Sequence, residues 1–362
     1  TGIVRDKLGR KMSKSLGNSP DPLDLIEKYG ADGVRMGMML SAPAGNDILF
    51  DDTLCEQGRN FNNKIWNAFR LVKGWEVSEE VPVPEAAELA MRWFESKQNA
   101  VAAELADLFG KYRLSEALMA VYKLFWDEFS SWYLEMIKPA YGQPINKKVY
   151  DTTIGFFDNL LHLLHPFMPF LTEQVYKFLP GSEGFLMLKS WPEGKPELDF
   201  PDEEAKMEGV MEVIRTIRNL RAEMNVAAGK RTHLMLLPAD GWAETLAHAG
   251  QYFQRLAGAS ATAIIESSAA VTEKTVSAVT KACTLYIPLG DLVDFEKEIA
   301  RLSKELDNLH KEIARAEGKL NNPGFVSKAP AALVEQEKGK LALNQQKAEQ
   351  VEKRIAELKE SM

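Results

Sequence analysis

Cysteine is scarce in this chain: two residues in 362, Cys55 and Cys283. That number allows neither a disulfide framework nor a four-ligand zinc site. The closely spaced histidines, His162 and His165, have no cysteine or carboxylate pair to complete a metal site, so they read as structural and no metal is expected. Two isolated thiols fit a reducing cytoplasm. No apolar run reaches the roughly 18 residues that span a bilayer, and the first residues are polar and basic rather than signal-like; no membrane is expected. Positive charge is not in surplus either. With 44 Lys and Arg against 52 Asp and Glu the net charge is −8, which argues against indiscriminate nucleic-acid binding. A local basic surface stays open, because the field of one patch governs encounter more than the total does.

What is present is ample apolar content, 45% over 362 residues, enough for two or three domains with real cores. Four regions read differently. Residues 1–50 begin basic, with Arg5, Lys7, Arg10, Lys11 and Lys14 against Asp6 alone up to Pro20. Helices follow over Leu23–Tyr29 and from Ala31 through Met38. Residues 51–200 are helical almost throughout: Phe61, Ile65, Ala68, Phe69 and Val72 share one face, and helices are expected over 85–109, 114–137 and 147–164 and after Pro169. Residues 201–290 change class. A helix over 203–225 precedes strands expected at 233–237, 263–266, 269–272 and 283–288, with a helix over 242–256, a small α/β junction. Residues 291–362 carry Leu292, Phe295, Ile299, Leu302, Leu306, Leu309, Ile313, Ala316 and Leu320 in alternating steps of three and four, then Asn321-Asn322-Pro323-Gly324. A less regular second seam runs Val334, Leu341, Ala348, Val351, Ile355, Leu358. This is an antiparallel coiled-coil hairpin. The fold class is therefore mainly α.

The chemistry concentrates in Lys11-Met12-Ser13-Lys14-Ser15. Two lysines three residues apart, on a loop with Gly9 and Gly17 on either side, suit a mobile clamp for a polyphosphate. A loop of this kind ten residues from a first residue that is not Met reads as part of something larger. Gly2-Ile3-Val4-Arg5-Asp6-x-x-Gly9-Arg10-Lys11-Met12-Ser13-Lys14-Ser15-Leu16-Gly17-Asn18, with Tyr29-Gly30-Ala31-Asp32 behind it, resembles the second signature loop of class I aminoacyl-tRNA synthetases. The resemblance implies adenylate formation from ATP, with Mg2+, and an amino acid. In it Lys14 matches the ATP-contacting lysine and Lys11 its companion, and Lys11, Met12, Ser13, Lys14 and Ser15 form the nucleotide-binding loop.

Arg59, Asn63, Asn67 and Arg70 lie within about 80° of one another on an ideal helix, opposite the apolar face. The segment Gly58-Arg59-Asn60-Phe61-x-Asn63-Lys64-x-Trp66-Asn67-Ala68-x-Arg70 is similar to the opening of the anticodon-binding domain in valyl, isoleucyl and leucyl synthetases. These residues, Lys64 among them, are then candidates for RNA contact. Tyr122, Phe125, Trp126, Phe129, Trp132 and Tyr133 read as one buried helix face rather than a base-stacking platform. On the helix from Glu203 a basic flank of Arg215, Arg218 and Arg221 is a candidate for RNA backbone contact. After it, Ala227-Ala228-Gly229 stands where the family has prolines.

The final segment from Asp294 holds 13 basic and 13 acidic residues, so it is no uniformly basic arm. Lys311, Arg315, Lys319 and Lys328 gather near its tip. Glu317-Gly318-Lys319-Leu320-x-Asn322-x-Gly324-Phe325-Val326-x-Lys328-Ala329-Pro330 resembles the C-terminal coiled coil of bacterial-type valyl-tRNA synthetases, whose arm reaches the outer corner of the tRNA. Isoleucyl relatives often end in a cysteine-rich zinc segment, which two cysteines cannot supply. What the resemblance implies is the C-terminal portion of such an enzyme: a monomer in the cytoplasm with tRNA(Val) as partner, and catalytic and editing domains elsewhere. This portion alone should be inactive and bind no nucleotide, because the other class I signature, His-x-Gly-His, does not occur. An isoleucyl or leucyl portion, or a stand-alone helical RNA-binding or scaffold protein, are the alternatives.

Overall fold

The computed structural model describes residues 3–42, 46–292, 295–322 and 331–360. Its contacts divide the chain into two units, Thr1–Glu212 with Ala247–Leu256, and Val213–Leu246 with Ala257–Met362.

The first unit opens with β1 (Val4–Arg5), α1 (Pro22–Tyr29), α2 (Ala31–Leu40) and β2 (Ile48–Leu49). β1 and β2 pair in parallel, Val4 opposite Ile48 and Arg5 opposite Leu49. Strands of two residues leave no periodic signal, and the sequence reading passes over them. α1 begins where Asp21 accepts the Leu23 N–H at 2.8 Å and Pro22 fills the first turn. α2 packs on α3 (Asp52–Lys73) through small residues. A Cβ on Gly58 would come within 2.5 Å of the Gly33 carbonyl oxygen, and one on Gly37 within 2.7 Å of the Cys55 nitrogen. Only hydrogen fits at these crossings, so the segment that carries the lysine loop is seated directly on the first bundle helix.

After β3 (Val77–Ser78), the bundle continues with α4 (Glu85–Gly110), α5 (Leu114–Lys123), α6 (Leu134–Ile137), β4 (Ile145–Asn146), α7 (Lys147–Leu164) and α8 (Pro169–Tyr176). The helix expected over 114–137 is not uniform. Leu124–Tyr133 is π-helical, and the Ser131 hydroxyl donates to the Trp126 carbonyl five residues back at 2.8 Å. The wider turn brings Phe125, Phe129 and Tyr133, four apart, fully into the core. Tyr122 and Trp126 stay half-buried and stack on each other at 5.6 Å. The expectation of one continuous buried face is corrected accordingly. Phe94, Phe129, Phe157 and Tyr133 interlock at centroid distances of 5.1–5.6 Å, and the Tyr133 hydroxyl meets Thr153 at 2.9 Å.

Two stretches far apart in the chain meet here. Asp32 on α2 is buried and accepts the N–H groups of Leu171 at 2.6 Å and Phe170 at 3.4 Å. It thereby caps α8, whose own N-cap residue, Met168, offers no side-chain acceptor. Arg35 donates to the carbonyls of Phe167 at 3.1 Å and Pro166 at 2.9 Å. Burial raises the Asp32 carboxyl above its ordinary range, against the pull of the two amides. His162 Nδ1 donates to the Asp158 carbonyl at 2.9 Å, and His165 meets Thr172 at 2.8 Å, so both have structural partners.

The boundary between units falls inside α9 (Pro201–Glu223). Beyond it come β5 (Thr232–Pro238), α10 (Ala243–His248), α11 (Gly250–Leu256), β6 (Ala259–Ile264), β7 (Thr275–Val279) and β8 (Cys283–Pro288). The expected helix over 242–256 is two helices. α11 belongs to the first unit, where the Tyr252 hydroxyl donates to the Ala86 carbonyl and Arg255 to the carbonyls of Met136, at 3.1 Å, and Lys138. The sheet order is β6-β5-β8-β7, with β5 parallel to β6 and antiparallel to β8, and β7 antiparallel to β8. The expected strand over 269–272 is absent: Ser268–Ala270 is a 3-10 turn and the strand is β7, five residues later. After α12 (Leu289–Leu292), α13 (Phe295–Leu320) and α14 (Ala331–Glu360) form the hairpin. Leu302 packs with Ile355, His310 lies 3.6 Å from Glu352, and Lys319 lies 3.3 Å from Glu337, so the pairing runs antiparallel.

Candidate functional site

The lysine loop is built from its base upward. The Asp6 amide donates to the Arg10 carbonyl at 2.9 Å and Gly9 returns an N–H to the Asp6 carbonyl at 2.9 Å, closing a tight turn. Ser13 caps a single 3-10 turn, Lys14–Leu16, by accepting the Leu16 N–H at 3.3 Å. Gly17 ends that turn at φ 64°, a conformation in which a Cβ would be strained. Met12 points inward and packs against the cluster of Tyr29, Phe50 and Cys55 with Val4, Leu25, Val34 and Met38. Of the five loop residues read as nucleotide-binding, Met12 is therefore the anchor, while Lys11, Lys14 and Ser15 are exposed and Ser13 half-exposed.

Charge pairing separates the five basic residues of this segment. Arg5 is paired with Asp47. Lys7 lies 3.0 Å from Asp51 and 3.6 Å from Asp52. Arg10 lies 2.7 Å from Asp6. Lys11 and Lys14 have no such partner among the described residues, and their ammonium groups stand free at the surface. Asp51 also caps α3 through the Thr53 N–H at 2.9 Å, and that bond, then Lys7, draws its carboxyl down to about 2. The motif singles out the two free lysines, contains Asp6 and Asn18 without giving them a role, and does not reach Asp47 and Asp51. Their signal was one of spacing between opposite charges across a turn, which helical or strand periodicity does not register.

On α3, Asn63, Asn67 and Arg70 are exposed along one side. Arg59, half-buried, lies 3.3 Å from Glu56 and 5.7 Å from the centre of the Tyr29 ring. Lys64 lies 5.3 Å from the Trp126 ring centre, a cation–π contact. The first four of these residues thus share a face as expected, and Lys64 borders it over an aromatic.

In the second unit Arg218 is exposed, but Arg221 is not. Arg221 is 9% exposed and donates to the carbonyls of Lys230 at 2.6 Å and Ala227 at 3.4 Å and to the Thr232 hydroxyl at 3.4 Å. Just past the end of α9, Asn225 sits in the left-handed region at φ 52°, and the Val226 N–H bonds the Arg221 carbonyl at 2.9 Å. The guanidinium then closes the Ala227–Lys230 turn where the family's prolines would have stiffened it. The expectation of RNA contact by Arg221 is corrected: its fork is occupied inside the fold, and burial lowers its pKa.

On the hairpin Lys311 is exposed, Arg315 is paired with Glu312, and Lys319 reaches Glu337 on the opposite helix. Lys328 lies outside the described residues. Glu337 is buried between Lys319 and Lys340, at 3.3 and 3.4 Å, and those contacts lower its pKa, Lys319 first. No group of three or more metal-ligating side chains occurs among the described residues, and no helix among them is long and apolar enough to cross a membrane.

Comparison with known proteins gives three family matches in chain order. Residues 1–51 match tRNA synthetases class I (I, L, M and V). Residues 91–236 match the anticodon-binding domain of tRNA ligase, and residues 294–359 the valyl tRNA synthetase tRNA binding arm. A valine–tRNA ligase of Bacteroides thetaiotaomicron is 53% identical over the whole chain and 40% of its own length. One from Phocaeicola vulgatus is likewise 53% identical, again over the whole chain and 40% of its own length. A looser likeness in solved structures is a LeuRS–tRNA–LeuAMS ternary complex of Agrobacterium radiobacter, at 20% identity and TM-score 0.43 over 55% of this chain and 24% of that one. The chain thus spans about 40% of the length of the curated relatives it matches. The arm match and these relatives decide against an isoleucyl or leucyl origin and against a scaffold of separate descent: the chain belongs to the valyl-tRNA synthetase family of the class I aminoacyl-tRNA synthetases.

Proposed function

We propose that this chain supplies the pyrophosphate-facing loop and the tRNA-holding part of a longer enzyme that joins valine to tRNA(Val). The observation that carries the reading is the selective pairing of charge around the loop. Arg5, Lys7 and Arg10 each have a carboxylate, while Lys11 and Lys14 are left free on a segment pinned by Met12. In the reaction the valine carboxylate oxygen attacks the α-phosphorus of ATP. The bond to the β-phosphate oxygen breaks, and pyrophosphate leaves with the electron pair. Two unneutralised ammonium groups offset that growing charge better than paired ones would. The tRNA terminal hydroxyl then attacks the adenylate carbonyl and releases AMP. ATP, its Mg2+ and valine belong to the longer protein. Leu8, Leu16, Leu23 and Leu49 are exposed on the loop-bearing segment, and apolar cover from that remainder would suit them. We infer that the 362-residue chain alone is inactive, that its own activity is to hold tRNA through Arg59, Asn63, Lys64, Asn67, Arg70, Arg218, Lys311, Arg315 and Lys319, and that the enzyme works as a cytoplasmic monomer.

The test is valine-dependent ATP–pyrophosphate exchange by the longer enzyme with Lys14→Ala. By analogy with removing one oxyanion donor, the loss is about 3 kcal/mol of barrier, or roughly 100-fold in rate. An unchanged rate refutes the role of the loop.

A further inference from the structure

Asp6 has a carboxylate that is 12% exposed and yet belongs to a surface loop. Its Oδ1 accepts the N–H groups of Leu8 at 3.0 Å and Arg10 at 2.9 Å. Its Oδ2 accepts from Arg10 Nε at 2.7 Å and from Asn18 Nδ2 at 3.0 Å. Asn18 in turn donates to the Lys11 carbonyl at 3.3 Å and accepts the Ser13 N–H at 2.9 Å. One carboxylate therefore grips the residue just before Lys11 and the residue just after Gly17. The segment between them carries both free lysines, and it is tied to the fold as well by the Met12 side chain and by an antiparallel bridge between Lys11 and Arg5. Asn18, then Arg10, hold the Asp6 carboxyl far below the usual carboxylate range, so it stays an acceptor at any working pH.

We propose that Asp6 is a positioning residue for Lys11 and Lys14: with Asn18 it forms a clasp that closes the two ends of the loop and fixes where the ammonium groups stand. The inference rests on the adenylating role proposed above. The geometry also says why a carboxylate is required. All the groups facing it are N–H donors. An amide of the same size at position 6 turns its own NH2 toward Asn18 or Arg10, donor against donor, and opens one arm of the clasp without changing volume. Met12 stays in its cluster, so the loop remains attached but loses its fixed shape.

Two measurements test this. In the 362-residue chain, hydrogen exchange of the Arg10 and Ser13 amides should speed up about tenfold or more in Asp6→Asn, and likewise for Ser13 in Asn18→Ala. Amides of α3 and α7 should not change. In the longer enzyme, Asp6→Asn should lower kcat of valine-dependent pyrophosphate exchange by about 10- to 100-fold, the scale of a small misplacement of a catalytic group, with the KM for valine unchanged. In a Lys14→Ala background the same change should cost less than about threefold, because a residue acting through Lys14 is coupled to it. Unchanged loop exchange overturns the clasp, whatever the activity. Equal losses of kcat in both backgrounds overturn the positioning role. An unsubstituted longer enzyme with no exchange activity overturns the functional reading instead, and the loop amides still judge the clasp. Asn18→Ala serves as the second variant should Asp6→Asn fail to fold.

Discussion

Replacing Gly58 by alanine tests how the loop-bearing segment is joined to the bundle. The new Cβ would lie 2.5 Å from the Gly33 carbonyl oxygen, 2.9 Å from Gly33 Cα and 3.1 Å from its carbonyl carbon. All three are backbone atoms of α2, so no side chain can turn aside. Ordinary contact at about 3.5 Å requires the two helices to part by roughly an ångström. Two effects oppose. Alanine in a helix interior is worth about 1 kcal/mol over glycine, while overpacking costs about 1–3 kcal/mol. Here the clash involves a whole helix–helix contact, so it falls at the upper end and the net loss is about 1–2 kcal/mol. For a unit of this size that lowers the thermal midpoint by about 2–8 °C. Gly155 on α7 is the control: it is exposed with nothing within 4 Å of its hypothetical Cβ. Alanine there should stabilise by up to about 1 kcal/mol. The assay is urea and thermal unfolding of both variants followed by near-ultraviolet circular dichroism, which reports the aromatic core. If Gly58→Ala is as stable as the parent while Gly155→Ala gains, the close crossing does not exist in solution.

Other outcomes follow from single contacts. Asp32→Ala should remove the borrowed cap of α8 and cost about 1 kcal/mol, read as faster hydrogen exchange at Phe170 and Leu171. Arg221→Ala should destabilise the second unit by about 2–3 kcal/mol through its orphaned carbonyls. Arg221→Lys should not rescue it, and tRNA affinity at a temperature where the variant is folded should hold; a selective loss of affinity would return Arg221 to the RNA surface. The Asp51 carboxyl, drawn down to about 2, lies below its unfolded value near 3.8. The stability it confers is therefore complete above about pH 4 and lost as pH falls toward 2. Asp51→Asn should flatten the acid limb of the unfolding curve in that window. Burial shifts Asp32 the other way. Its ionisation costs stability as pH rises through the raised pKa, so Asp32→Asn should narrow the difference in stability between pH 4 and pH 7.

Much of this architecture is visible in the residue pattern, and the exceptions have physical causes. Helix α7 and strand β8 match their expected bounds, because both carry a clear period and clear punctuation. The stretch Leu124–Tyr133 has apolar residues at both i+3 and i+4, which fit an α-helix equally well. Packing of Phe125, Phe129 and Tyr133 against Phe94 and Phe157 decides for the wider turn. The strand expected at 269–272 lost to 275–279 because Ala-Ala-Val-Thr satisfies local propensity, while pairing with β8 is a tertiary matter. In the hairpin, Glu337 and Asn344 occupy the seam of α14 between Val334 and Ala348. A charged residue there is invisible to an apolar count, and it is tolerated because Lys319 and Lys340 reach it. At the candidate site the two free lysines were legible as a motif. The carboxylates that free them by occupying their neighbours were not, since which charge pairs with which is settled only by the turn at Gly9 and the β1–β2 pairing.

The proposed function has this chain by itself hold tRNA through exposed basic residues despite a net charge of −8. The direct measurement is a titration of the chain with tRNA(Val) across a series of salt concentrations, repeated with Arg70→Ala. The logarithm of the binding constant should fall linearly with the logarithm of salt, with the slope reduced by about one contact in the variant. Absence of binding, or an affinity indifferent to salt, contradicts it.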